Sequence, residues 1–189
     1  MSDVLIRKKR CMASLFTIQF AIGLSASATG AVVLNEIHYE PPEGAALEFV
    51  ELHNSGRDPV SLSGWSLSNG VELVLGDGVA IEAGGFLLVA RDPGQLAARF
   101  GLPFDSVLGP FEGALDNGGE RLELSNAQGV VVDSVRYDDD APWDSRAAGQ
   151  GPSLQRLCAT FDSESPANWI AKGTPTPLGA TPDQGCPPP

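Results

Sequence analysis

Between residues 32 and 137 short apolar runs follow one another, most of them closed within a few residues by glycine, asparagine or proline. Such spacing favours strands that reverse at tight turns. It leaves no room for a helix after each strand, which a parallel α/β sheet would need. The runs fall at residues 32–39, 47–53, 60–62, 65–67, 71–75, 79–81, 86–90, 121–124 and 130–137. Asn69-Gly70, between two of them, is a hairpin signal, because both residues tolerate positive φ. One segment breaks the pattern. At residues 93–100, Asp92 can cap a helix, Pro93 suits its first position, Gly101 can end it, and Leu96 and Phe100 share a face. The expectation is an all-β chain, an antiparallel sandwich or barrel with one short helix.

The 189 residues hold one domain of ordinary size plus extensions, and an apolar share of 42% suffices for a core. A formal charge of -12 argues against binding bare nucleic acid, since phosphate neutralisation needs a basic surface. The N-terminus reads as a separate object. Arg7-Lys8-Lys9-Arg10 precedes an apolar stretch from 12 to 24 and the small residues Ser25-Ala26-Ser27-Ala28. These are the parts of a secretory signal peptide over residues 1–28, and the apolar core is too short and too broken for a membrane span. The chain is therefore expected to be secreted, periplasmic or at the cell surface, with no membrane span after cleavage. Cys158 and Cys186 then remain as a candidate disulfide, with two free thiols as the alternative. Residues 138–172 read as an irregular extension that wraps the same domain, and residues 173–189, rich in Pro, Thr and Gly, as an extended tail.

Two groups of residues could carry chemistry. The run Leu47-Glu48-Phe49-Val50-Glu51-Leu52-His53 alternates, so Phe49, Glu51 and His53 face one way and Glu48, Val50 and Leu52 the other. Glu36 and His38 share a face of the preceding strand with Leu34. If the two strands pair, Glu36, His38, Glu51 and His53 could gather as ligands for a transition metal. The plainer expectation is a solvated sheet face with polar cross-strand pairs. Asp138, Asp139 and Asp140, with Asp144 close by, could offer oxygens to calcium, although the spacing of an EF-hand loop is missing. No nucleophile elbow or phosphate-binding glycine loop is present. Trp65 is expected in the core, whereas Trp143 and Trp169 are expected to pin the C-terminal wrap onto the sandwich.

In order along the chain, Leu34-Asn-Glu-Ile-His-Tyr39, Glu48-Phe-Val-Glu-Leu52 closed by Asn54, Leu62-Ser-Gly-Trp65, Ile81-Glu-Ala-Gly-Gly85, Asn117-Gly-Gly-Glu-Arg-Leu122 and Ala141-Pro-Trp143 resemble the lamin-tail domain of exported bacterial proteins. The resemblance spans roughly residues 32–169, with residues 32–137 as the sandwich proper. It implies an immunoglobulin-like β-sandwich, usually a non-catalytic module, and brings no catalytic residues. His53 stands where the family more often has an aromatic residue. The function expected is an exported, non-enzymatic module that binds a protein or glycan partner at the cell envelope or outside the cell. A calcium-dependent adhesion module and a small metal-assisted hydrolase using the Glu/His patch are the alternatives, and no cofactor other than calcium is expected.

Overall fold

A computed structural model describes residues 32–179 and Cys186; the expected signal peptide, residues 1–28, lies outside the described residues. The chain enters on β1 (Val32–His38) and returns on β2 (Phe49–Asn54). It continues through β3 (Val60–Ser61), β4 (Ser66–Ser68), β5 (Val71–Val74), β6 (Ala80–Ile81) and β7 (Phe86–Ala90). Helix α1 (Pro93–Phe100) leads to β8 (Val107–Leu108), β9 (Glu112–Gly113), β10 (Arg121–Ser125) and β11 (Val131–Arg136). The C-terminal part adds β12 (Leu154–Arg156) and β13 (Trp169–Ala171).

These strands make a larger sheet in the order β13-β12-β1-β2-β7-β8 and a smaller one in the order β11-β10-β4-β5-β9, with β3 and β6 paired apart. The two sheets close on one another. Val32, Leu34, Ile37, Val50, Leu52 and Val89 from the larger sheet join Leu67, Val71, Leu122, Leu124 and Val135 from the smaller in one buried core. This is the immunoglobulin-like sandwich expected, antiparallel except where β8 runs parallel to β7. A parallel neighbour requires a crossover, and α1 provides it. Asp92 caps that helix by accepting from the Gln95 amide, and Gly101 ends it at a φ of 66°.

Trp65 is half-buried and packs against the core rather than filling it. The buried tryptophans are Trp143 and Trp169, 6.3 Å apart between ring centres. They hold the C-terminal wrap, as their Pro-flanked settings suggest. Arg156 anchors the same region. It is 4% exposed, pairs with Asp133 at 2.6 Å, and donates to the carbonyls of Leu34, Cys158, Ala159 and Phe161. Beside it Cys158 is bonded to Cys186. Residues 173–179 lie along the outer face of the larger sheet, where Thr176 and Leu178 bond Glu36 and Glu51.

Candidate functional site

β1 and β2 pair with an irregularity between Leu34 and Glu36. Leu34 faces Leu52 across the pair and Glu36 faces Glu51, so Asn35 is the extra residue of a β-bulge. The bulge changes which side chains share a face. Val32 and Leu34 enter the sandwich core before it, and Ile37 and Tyr39 enter after it. Asn35, Glu36 and His38 are thereby turned to the outer face, beside Phe49, Glu51 and His53 of β2. Leu34 does not share a face with Glu36 and His38, contrary to simple alternation, because the bulge intervenes between them.

The outer face is not wet. Glu36 and Glu51 are each 0% exposed and His38 is 3% exposed. A polar, solvated strand face was the plainer expectation from sequence. Two covers overturn it. At one end α1 lays Leu96 and Ala97 on Leu47, Phe49, Leu88 and Ala90. Over the two glutamates the C-terminal strap, residues 173–179, supplies the hydrogen-bond donors that burial of carboxylates requires. The Thr176 amide and hydroxyl donate to Glu36 Oε1 and Oε2, both at 3.0 Å. The Leu178 amide donates to Glu51 Oε2 at 2.6 Å, and Asn35 Nδ2 donates to Glu51 Oε1 at 2.9 Å. Ser153 Oγ makes a short contact with Glu36 Oε1. The pair therefore sits opposite one another on adjacent strands, satisfied by neutral donors and, among the described residues, by no cation.

That setting determines how the acids titrate. Burial first, and then the neighbouring Glu36 charge, push Glu51 up to about 8 against the pull of the Asn35 and Leu178 donors. Burial likewise raises Glu36, opposed by the hydrogen bonds from Ser153, Thr176 and Gln155. Burial holds the His38 ring down at about 4, so it is neutral at pH 7, even though Glu43 and the Gly151 carbonyl favour its charged form. Neither His38 nitrogen makes a hydrogen bond of normal geometry. The ring meets Phe49 edge-on at 5.5 Å.

The four residues considered for a transition metal are placed as a row and not around a point. His38 lies across from Phe49, Glu36 from Glu51, and His53 from Val33. His38 and His53 therefore stand at opposite ends, with roughly 13 Å of strand between them at about 3.3 Å per residue. His53 is stacked on Phe86 at 4.5 Å. Among the described residues, the one group of three or more metal-type ligands whose donor atoms come together is Asp138, Asp139 and Asp140, within 4.8 Å of one another on the surface. Glu48, on the opposite face from Glu51, binds Arg91 at 3.0 Å and the Leu115 amide at 3.0 Å, and so ties a loop to the sheet.

Residues 25–139 match the family model of the lamin tail domain. The chain belongs to the lamin tail domain family. None of the curated proteins matches it. Among solved structures it is similar to a DUF4876 family protein from Bacteroides thetaiotaomicron, at 10% identity and a TM-score of 0.49, over 77% of this chain and 68% of that one. The family match stops at Asp139, short of the Ala141–Trp143 and Trp169 signals that the sequence resemblance takes in. In this lamin tail domain α1 lies within the match, whereas Ser153 and the strap, which bond the two glutamates, lie C-terminal to it, as do β12 and β13, which extend the sheet beyond β1. Sequence reasoning placed Glu36, Glu51 and His38 on one face but missed Asn35, Ser153, Thr176 and Leu178 as their partners. The sequence signal that bears on the strap was the candidate Cys158–Cys186 bond, which ties a residue beyond the strap to the domain.

Proposed function

We propose that this lamin tail domain is an exported, non-catalytic module that binds a protein or glycan partner at the cell envelope or outside the cell. The observation that carries it is the commitment of its buried acids. Glu36, Glu48, Glu51 and Asp133 each hold internal donors that join strands, loops and strap. Acids used in this way stiffen a scaffold, and a stiff sheet with loops at its ends suits recognition. Family membership supports a sandwich module, and the Cys158–Cys186 disulfide fits an oxidising compartment. No helix among the described residues is long and apolar enough to cross a membrane.

The test is titration of the immobilised mature chain against fractionated envelope proteins and against purified envelope glycans. Saturable, reversible binding to one class is the expected result. Turnover of ester or glycosidic substrates that disappears in Glu51→Gln would replace this reading with a hydrolytic one. The closeness of the Asp138, Asp139 and Asp140 oxygens keeps calcium-dependent adhesion as the second reading. Calorimetry separates the two, because binding that requires calcium must be accompanied by calcium heat on the wild type that is lost in Asp139→Asn.

A further inference from the structure

The strap breaks a local rule where it meets the sheet. Thr176-Pro177-Leu178-Gly179 is a turn, closed by the Gly179 amide on the Thr176 carbonyl at 2.7 Å. Leu178 occupies its third position at a φ of 59°, a left-handed conformation that favours glycine or asparagine. A branched apolar residue is kept there because two demands meet. Its amide must reach Glu51, and its side chain packs against the apolar cluster that contains Leu47, Phe49, Leu88 and Leu96. Strain of this kind is tolerated where the surroundings dictate the residue. The surroundings here are a receptor: two buried carboxylates that read main-chain N–H groups and one hydroxyl, beside an apolar patch.

The strap does not fill that receptor. A cavity of about 540 Å³ lies beside it, walled by Gly173, Thr174 and Pro175 of the strap and by His38, Glu43, Arg99 and Phe100 of the domain. His38, buried at 3% exposure, lines this cavity, and neither ring nitrogen makes a hydrogen bond of normal geometry. A volume in this range is that of a ligand pocket, and a buried polar group without a well-formed hydrogen bond is the kind of group a ligand completes.

We propose that the outer face of the larger sheet is a peptide-recognition site for a Thr-Pro-Leu turn of a partner polypeptide, held closed by the chain's own residues 174–179. The partner's threonine amide and hydroxyl bind Glu36, its leucine amide binds Glu51, and its leucine side chain enters the apolar patch. Residues preceding the threonine extend into the cavity, which His38 lines and whose opening the Arg99–Glu43 pair borders. The strap is then an intramolecular competitor. Tethered on both sides, by β13 and by the disulfide, it acts at an effective concentration on the order of millimolar or above. This goes further than the binding-module reading by naming a site and a partner class. Envelope binding that survives Glu51→Ala would leave that reading standing and remove this one.

The test uses the mature full-length chain and a fluorescent peptide of residues 174–179. In Thr176→Pro/Leu178→Asp, both strap donors to Glu36 are removed and a carboxylate is set against Glu51, so the strap is expelled while the disulfide stays. This opened chain is expected to bind the peptide at least tenfold more tightly than the wild type. A peptide N-methylated at leucine, or the further change Glu51→Ala, is expected to lose at least tenfold. If the opened variant does not fold, hydrogen exchange on the wild type serves: excess peptide must accelerate exchange of the Thr176 and Leu178 amides saturably. An opened, folded chain that ignores the peptide overturns the proposal. So do equal binding of the N-methylated or a scrambled peptide and an exchange rate that does not respond.

Discussion

Replacing Glu51 with glutamine removes the titration of one buried acid while keeping its shape, and the structure sets both the sign and the size of the effect. In the unfolded chain Glu51 ionises near 4.5, whereas burial and the Glu36 charge hold it at about 8 in the folded domain. Between those values the folded chain keeps a proton that the unfolded chain has lost. Stability from this group is therefore fully present below pH 4.5 and is lost as the pH rises through 8. The full interval corresponds to about 5 kcal/mol, with a steepest slope of about 1.4 kcal/mol per pH unit. Glutamine does not titrate, but it has a cost of its own. Glu51 accepts from Asn35 on one oxygen and from Leu178 on the other, so the glutamine NH2 must confront one of those donors, at roughly 1–3 kcal/mol. Urea unfolding at pH 5, 6, 7 and 8 should show the wild type ahead at pH 5 and Glu51→Gln ahead at pH 8. Amide exchange at Leu178 should report the same titration locally. A stability difference between the two proteins that stays constant from pH 5 to 9 would refute the reasoning, because it would mean that no proton is held at this pair.

His38 predicts the opposite limb: its ring is held at about 4 against an ordinary 6.5, so its contribution is present above pH 6.5 and is lost as the pH falls through 4, and His38→Phe should flatten that acid loss in thermal melts. Arg156→Leu should destabilise by about 3–5 kcal/mol in urea unfolding, because it leaves Asp133 buried and unpaired and strips donors from four carbonyls. Cys186→Ser opens a bridge spanning 28 positions and should lower stability by about 3–4 kcal/mol, with faster exchange at the Thr176 and Leu178 amides. Gly119→Ala should express poorly or melt well below the wild type. Its Cβ would lie 2.5 Å from the Tyr137 carbonyl oxygen, at a φ of 94° that alanine resists.

The parts of this fold that were legible in the sequence are those whose causes are local. Asp92, Pro93 and Gly101 bound the helix because capping and φ preferences act within one turn, and the alternation of residues 48–53 correctly put Glu51 and His53 opposite Glu48. The bulge at Asn35 was illegible. It arises where the pairing of β1 with β2 shifts by one residue, and nothing in Leu34-Asn35-Glu36-Ile37 distinguishes it from regular alternation. The burial of Glu36 and Glu51 was illegible for a stronger reason. A carboxylate on a strand reads as surface unless its donors are known, and here a principal donor segment lies 140 residues away from Glu36 in a stretch whose prolines read as a linker. Yet those prolines suit the role. Pro175 and Pro177 have no N–H to leave unsatisfied beside the sheet, so the only strap amides between residues 175 and 178 are those of Thr176 and Leu178, the two that the glutamates accept. The composition that marks the tail as unstructured also spaces its donors to match two opposed carboxylates. A Pro-rich end returned to its own domain by a disulfide is thus better read by asking which N–H groups it retains than by asking how many prolines it contains.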